Sequence, residues 1–222
     1  NSLKEETINL FSITNNISVI PNFIDIEKYS KVKRNPYRSK LCPKGERLLI
    51  HTSNFRKVKR IQDVINIFCK INKEIPSKLI MIGDGPERAN IESLTRSLCS
   101  LRDVMFIGKI PDVETVLYKA DLFLLTSEKE SFGLSALEAM ASSVPVISSN
   151  AGGLPELVEE GISGFTCDIG DINSMSEKAI KVLDENNLSG FKENAFRIAN
   201  NYDINIILPK YVEFYKNILN KG

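Results

Sequence analysis

Two stretches of the chain set charged side chains where chemistry could be done. The first is residues 52–60, Thr52-Ser53-Asn54-Phe55-Arg56-Lys57-Val58-Lys59-Arg60, with four cations in the five positions 56–60. Arginine offers a planar fork of donors and lysine a compact point charge, so Arg56 and Lys59 on one short turn suit the oxygens of a diphosphate. The same residues also read as a solvated basic turn at a helix start. Cations there oppose the helix dipole, and an unfavourable placement invites a functional reason.

The second stretch is residues 130–138, Glu130-Ser131-Phe132-Gly133-Leu134-Ser135-Ala136-Leu137-Glu138, in which a loop glutamate is followed eight positions on by a helical one. Between Phe132 and Ile147, Glu138 is the only charged residue, on a helix otherwise made of Leu, Ala, Met and Ser. A carboxylate drawn in among apolar neighbours is costly or shifts its pKa upward unless it finds a partner. The vicinal hydroxyls of a ribose would serve, since one carboxylate accepts two hydrogen bonds side by side. Gly133 permits close backbone approach at a helix start, where free N–H groups favour an anion. Glu130, just outside, could bond sugar hydroxyls. The bland alternative is a pair of surface glutamates, and Glu130 does sit in the charged run 128–130.

Other turns carry less. Gly83-Asp84-Gly85-Pro86 is half of a dinucleotide fingerprint without its third glycine, with Pro86 as a first helical residue, so a tight turn is expected. Ala151-Gly152-Gly153-Leu154-Pro155-Glu156 joins a strand to a short helix and reads as structural, with a share in a pocket wall. Asp84 has no Asp-x-Asp partner, so no divalent metal is expected. His51 closes a strand and is either a polar wall residue or a hydrogen-bonded core histidine.

These loops need elements to hold them. From residue 47 onward short apolar runs alternate with helix-period stretches: strands at 47–51, 78–82, 104–107, 122–125, 145–147 and 164–167, and helices at 61–72, 87–98, 112–119, 133–141 and 154–158. Helices at 172–184, 190–200 and 204–219 complete a helical last third. Continuous apolar runs such as LIMI and LFLL are those of strands buried on both faces, which makes this a doubly wound parallel α/β sheet. Ligands of such sheets bind beyond the carboxyl ends of the strands, where both charged stretches fall. Residues 22–44, with Pro21 before them and Pro36 and Pro43 among them, read as a linker or surface excursion.

Composition narrows the partners. A chain of 222 residues, 42% hydrophobic, can bury one main core. Lys and Arg number 29 against 28 for Asp and Glu, so no strong field favours nucleic acid or anionic lipid. Apolar runs are far shorter than the roughly 20 residues of a membrane span. Cys42, Cys69, Cys99 and Cys167 are scattered, with no CxxC pair and one histidine, which argues against a metal site and for reduced thiols in the cytoplasm. The chain opens on Asn1, and its first helix, 2–11, shows Leu3, Ile8, Leu10 and Phe11 with no evident partner, as expected for a piece of a longer protein; no signal-peptide pattern stands at its start.

The series VIPNFID (19–25), SNFRKVK (53–59), GDGPE (83–87), EKESFGLSALEAMA (128–141), PVISSNAGGLPELV (145–158) and SGF (163–165) resembles glycosyltransferase family 4 of the GT-B fold, over about 200 residues and in the right order. The resemblance implies a retaining glycosyltransferase built from two facing Rossmann-like domains, of which this chain is the C-terminal, donor-binding one. It would divide the chain into 1–25, the end of an acceptor-binding N-terminal domain and a hinge; 26–46, the linker; 47–202, the nucleotide-binding domain; and 203–222, a helix crossing back to the N-terminal domain. That helix would leave Ile207, Leu208, Val212, Phe214 and Ile218 partly exposed.

The resemblance further implies that Arg56 and Lys59 hold the diphosphate, Glu138 the ribose and Glu130 the donor sugar. Backbone amides across Ser131, Phe132, Gly133 and Leu134 would touch phosphate or sugar, and the backbone at Lys109 and Ile110 the base. The donor would be a UDP-sugar acting as substrate, with no cofactor. HTSNFRKVKR together with SEKESFGL is most similar to members that join UDP-N-acetylglucosamine to L-malate. Departures exist: Phe55 and Arg60 stand where many members have glycine, and Ser142-Ser143 where Cys-Gly is common. A UDP-sugar 2-epimerase and a non-catalytic nucleotide-sugar-binding module remain as alternatives, and a homo-oligomer stays open.

Overall fold

The computed structural model describes residues 2–13, 17–31, 38–98 and 102–220, so Pro36 and Cys99 lie outside the described residues. Six parallel strands form one sheet: β1 (Arg47–Thr52), β2 (Ser77–Ile82), β3 (Val104–Gly108), β4 (Leu122–Leu125), β5 (Val146–Ser149) and β6 (Gly164–Cys167). Their order is β3-β2-β1-β4-β5-β6. The chain runs outward from β1 to β3, returns beside β1 as β4 and continues to β6, so the direction of winding switches between β1 and β4. Loops diverge there and leave a crevice beyond the strand ends.

Alternation along each strand sends neighbouring side chains to opposite layers. Leu48, Ile50, Ile80, Ile82, Phe123 and Leu125 enter one core, and Leu49, Leu79, Met81, Leu122 and Leu124 the other. On the first face lie α6 (Glu114–Leu117) and α7 (Leu134–Ala141); on the second lie α4 (Ile61–Glu74), α5 (Arg88–Leu98) and α9 (Ile172–Leu183); α10 (Glu185–Ala199) gives Ala195, Ile198 and Ala199 to the first core and Leu188 and Phe191 to the second. The buried aromatic and aliphatic runs expected of a doubly wound sheet are therefore present, and the fold is the Rossmann-like α/β architecture with a helical C-terminal part.

Some boundaries differ from the sequence reading. Helix α10 begins at Glu185, not at Gly190, because the Asp184 side chain caps it by accepting from the Asn186 N–H at 2.9 Å. Residues 22–44 are not a surface excursion throughout. Helix α2 (Ile26–Ser30) is capped by Asp25, and Ile24, Ile26, Tyr29 and Cys42 are buried in the first core. Helix α3 (Arg38–Leu41) is fixed by a buried charge. Arg38 and Lys192 both pair with Asp121, which also accepts the Leu48 N–H at 3.0 Å. Burial pushes the Asp121 pKa up, but the two cations outweigh it and hold the carboxyl below its ordinary value.

Cys42 and Cys167 are free, buried thiols, whereas Cys69 is disulfide-bonded. That corrects the expectation of four reduced thiols at Cys69. The first and last helices are the least covered parts. Helix α1 (Ser2–Phe11) buries none of its residues, and α11 (Ile204–Leu219) exposes Leu208, Val212, Phe214 and Ile218. Ile207, expected among these, is 1% exposed and belongs to the domain core. The approach to α11 and the segment before α2 run side by side: the Ile24 N–H donates to the Tyr202 carbonyl at 2.9 Å and the Ile204 N–H to the Ile24 carbonyl at 2.8 Å. No helix among the described residues is long and apolar enough to cross a membrane.

Candidate functional site

The two charged stretches meet at the switch between β1 and β4. After β1 the chain forms a single 3-10 turn, Lys57–Lys59, before α4; after β4 it runs through residues 126–133 to α7. The Thr126 hydroxyl lies 3.0 Å from the carbonyl oxygens of both Lys59 and Arg60, and the Glu128 N–H donates to the Val58 carbonyl at 2.8 Å. With the backbones joined in this way, the Lys59 ammonium sits 2.6 Å from Glu130 Oε2, both side chains being 18% exposed. The Ser127 hydroxyl reaches the same carboxylate oxygen at 3.4 Å.

Two glycine pairs make this convergence possible. At Gly152, whose φ is +54°, a Cβ would stand 1.9 Å from the Glu130 carbonyl oxygen, and the Gly153 N–H donates to that oxygen at 3.0 Å. The loop after β5 therefore presses backbone against backbone on the Glu130 loop. In the GDGP turn, Gly83 would place a Cβ 1.8 Å from the Ser53 carbonyl oxygen, and the Phe55 N–H donates to the Asp84 carbonyl. Both motifs act here through close approach, as tight turns shaping the rim.

Arg56 occupies extended backbone just before the 3-10 turn. Its side chain is exposed and engages no partner among the described residues. Gly133, in the left-handed region at φ +95°, opens α7 without a side-chain cap, so the first amides of that helix keep their donors and the dipole its positive end. Ser131 is exposed; Phe132 packs edge-on against Tyr202 with ring centroids 5.6 Å apart; Leu134 is exposed at the first turn. Ser131, Phe132 and Gly153 line a cleft of about 400 Å³ together with Leu3, residues 19–22, Glu156 and Tyr202.

Glu138 stands one turn further along α7 and is half-buried. Burial raises its pKa, against the opposing pull of a hydrogen bond from Tyr29 and the charge of Lys28. The Tyr29 hydroxyl donates to Glu138 Oε1 at 3.0 Å, and burial and the Glu138 charge drive the phenol pKa upward in turn. Glu114, 7% exposed, belongs to the same cluster. Lys28 Nζ lies 3.4 Å from Glu114 Oε2, close enough for an ion pair but not aligned as a hydrogen bond. Tyr29, Lys28 and Glu114 are residues that the sequence reading missed. Asp25 as a helix cap was the available signal for α2, since an Asp before an apolar residue marks a helix start.

Lys109 and Ile110 follow the outermost strand β3 at its carboxyl end, Lys109 exposed and Ile110 packed against the first core. Helix α6, which follows that loop, packs on α7. His51 is fully buried: Nδ1 lies 2.8 Å from the Leu124 carbonyl and Nε2 2.8 Å from the Ser53 hydroxyl, so of its two readings the structure selects the core histidine. Among the described residues no group of three or more His, Cys, Asp or Glu side chains is placed to hold a metal ion.

A six-stranded sheet of this order, with a cationic turn and a carboxylate-bearing helix at its switch point, has known relatives. Residues 33–198 match the family Glycosyl transferases group 1, and the chain belongs to that family. Over 188 residues it is 43% identical to the N-acetyl-alpha-D-glucosaminyl L-malate synthase of Bacillus anthracis, a match covering 84% of this chain and 49% of that protein. The chain thus spans about half the length of the curated relatives it matches. A glycosyltransferase from Rickettsia africae superimposes on all of this chain and 62% of its own, with a TM-score of 0.88 at 21% identity. The Anabaena protein HepE, solved in complex with UDP, covers 90% of this chain and 57% of its own, with a TM-score of 0.80 at 25% identity.

Proposed function

We propose that this chain is the donor-binding half of a retaining glycosyltransferase that takes N-acetylglucosamine from UDP-N-acetylglucosamine and passes it to a small hydroxyl acceptor, L-malate. The observation that carries this reading is the meeting of the β1 and β4 loops, which puts Lys59 and Glu130 in contact although they lie 71 positions apart in sequence. In it, Arg56 and Lys59 hold the diphosphate, the uncapped amides from Phe132 to Leu134 take phosphate or sugar oxygens, and Glu130 takes sugar hydroxyls. Glu138 exchanges its Tyr29 partner for the ribose diol, and the backbone at Lys109 and Ile110 meets the base. The 43% identity to an enzyme named for N-acetylglucosamine and malate supports the choice of donor and acceptor.

The chemistry follows from charge. As the bond from the sugar to the diphosphate breaks, negative charge grows on the leaving oxygens beside Arg56 and Lys59. The leaving diphosphate then helps take the proton from the acceptor hydroxyl on the same face, which gives retention. Cations aimed at charge that appears in the transition state lower the barrier of such a reaction more than any other single effect. The alternative of a 2-epimerase needs acid–base groups at the sugar; the one histidine is buried in the core, which favours transfer. The reaction is expected to need no metal cofactor.

Titration calorimetry of the chain with UDP-, GDP- and ADP-sugars tests the donor, with UDP-N-acetylglucosamine expected to bind best. Preference for another nucleotide, or binding to none, overturns the assignment. An assay of the whole protein with malate, and with donor alone, separates transfer from epimerisation.

A further inference from the structure

Arg60 has a conformation that its side chain disfavours. Its φ and ψ are 45° and 46°, in the left-handed region, where a residue with a Cβ is strained and glycine is not. Strain of this kind persists where the surroundings over-determine it, and it clusters at binding sites. At Arg60 the surroundings are specific. Nε lies 2.6 Å from Asp63 Oδ2, whose side chain is 4% exposed, and Nη1 lies 3.0 Å from Glu128 Oε1 on the facing loop. The carbonyl of Arg60 also accepts from the Thr126 hydroxyl.

The left-handed residue turns the chain sharply between the 3-10 turn and α4. Neighbouring side chains are thereby sent to different partners, Lys59 to Glu130 and Arg60 to Glu128, so two ion pairs tie the same two loops together. They differ in burial. Lys59 and Glu130 are largely enclosed, whereas Glu128 is 46% exposed and stands outside. The inner pair must open when a diphosphate draws the Lys59 ammonium away from Glu130. The outer pair need not, because neither of its members is required by the ligand.

We propose that Arg60 is a positioning residue: anchored on Asp63, it holds the Glu128 loop at fixed spacing from the cationic turn, so that Lys59 can leave Glu130 for the donor diphosphate without the two loops parting. This rests on the donor-site reading above and assigns a role to the charged flank that lies outside the residues expected to touch ligand. A side chain at this strained position is retained for its two carboxylate contacts, where glycine would be relaxed but would leave Asp63 buried and unpaired.

Glu128→Gln in the whole protein carrying this chain is the cleanest probe, since it removes the outer tie and leaves Asp63 paired. UDP, measured by calorimetry, is expected to bind about threefold to fivefold more weakly, the range of one partly exposed ion pair, with Tm shifted by no more than about 2 °C. The KM for UDP-N-acetylglucosamine is expected to rise by a similar factor and kcat to change less. Amide exchange across residues 126–131 of the ligand-free protein is expected to quicken. Arg60→Lys, which keeps a cation within reach, is expected to retain most of the affinity. UDP binding and loop exchange both unchanged in Glu128→Gln would overturn the positioning role while leaving the donor site standing. An unaltered protein that binds no UDP would instead overturn the donor-site reading itself, and this inference with it.

Discussion

The ammonium of Lys59 and the carboxylate of Glu130 are 2.6 Å apart and four-fifths enclosed, so in the ligand-free protein each neutralises the other. A diphosphate arriving at Lys59 competes with Glu130, and a sugar arriving at Glu130 helps to resolve that competition. Glu130→Gln removes the competitor and one sugar contact together. UDP alone is therefore expected to bind as tightly or up to about fivefold more tightly, while UDP-N-acetylglucosamine loses affinity relative to UDP. Calorimetric dissociation constants for both ligands check this; an equal change for the two would remove Glu130 from contact with the sugar.

Arg56 differs from its neighbour in having no partner to leave. Being exposed and unpaired among the described residues, it can turn to charge that develops on the leaving diphosphate without breaking a protein contact. Arg56→Ala in the whole protein is expected to lower kcat by about 10²–10³-fold with a much smaller rise in donor KM. Steady-state kinetics decide it, and a change confined to KM would make Arg56 a binding residue only.

Glu138 carries two expectations that can be separated. As the acceptor of the ribose diol, its replacement by Gln should weaken UDP binding by about 1–3 kcal/mol and abolish discrimination against a 2′,3′-dideoxy nucleotide. Its pKa also bears on stability. Burial raises the folded value above the unfolded one, so the folded state favours the protonated carboxyl; the native protein loses stability as pH rises through that window. Glu138→Gln is thus expected to gain Tm relative to the unaltered protein as pH climbs from acid toward neutral. A Tm difference independent of pH would show that the carboxyl is not held in an unfavourable setting.

The sheet was legible because strands buried on both faces leave unbroken apolar runs, and Leu122–Leu125 leaves little else to be. Glu138 stood out in sequence for the same reason, as a lone charge on an apolar helix. The contacts that complete the site were not legible. Tyr29 reaches Glu138 across 109 positions, from a helix too short to show a periodicity. The left-handed backbone of Arg60 is invisible in composition, since only its surroundings impose it.

His51 supplies a pH signature that belongs to the fold beneath the site. Fully buried between the Leu124 carbonyl and the Ser53 hydroxyl, it donates from Nδ1 to the first and leaves Nε2 to accept from the second, the arrangement of a neutral ring. Burial pushes its pKa down from the ordinary 6.5 to about 4. The unfolded chain takes up a proton near 6.5 and the folded chain does not until about 4. Stability attributable to this group is therefore complete above pH 6.5 and is lost as pH falls through that window, by roughly 3 kcal/mol. Replacing His51 with Gln, which does not titrate, should lower stability at pH 7 yet flatten its fall between pH 6.5 and 4. Denaturant midpoints for the two proteins across that range make the comparison, and parallel curves would mean that His51 is charged in the folded state or protonates together with the core around it.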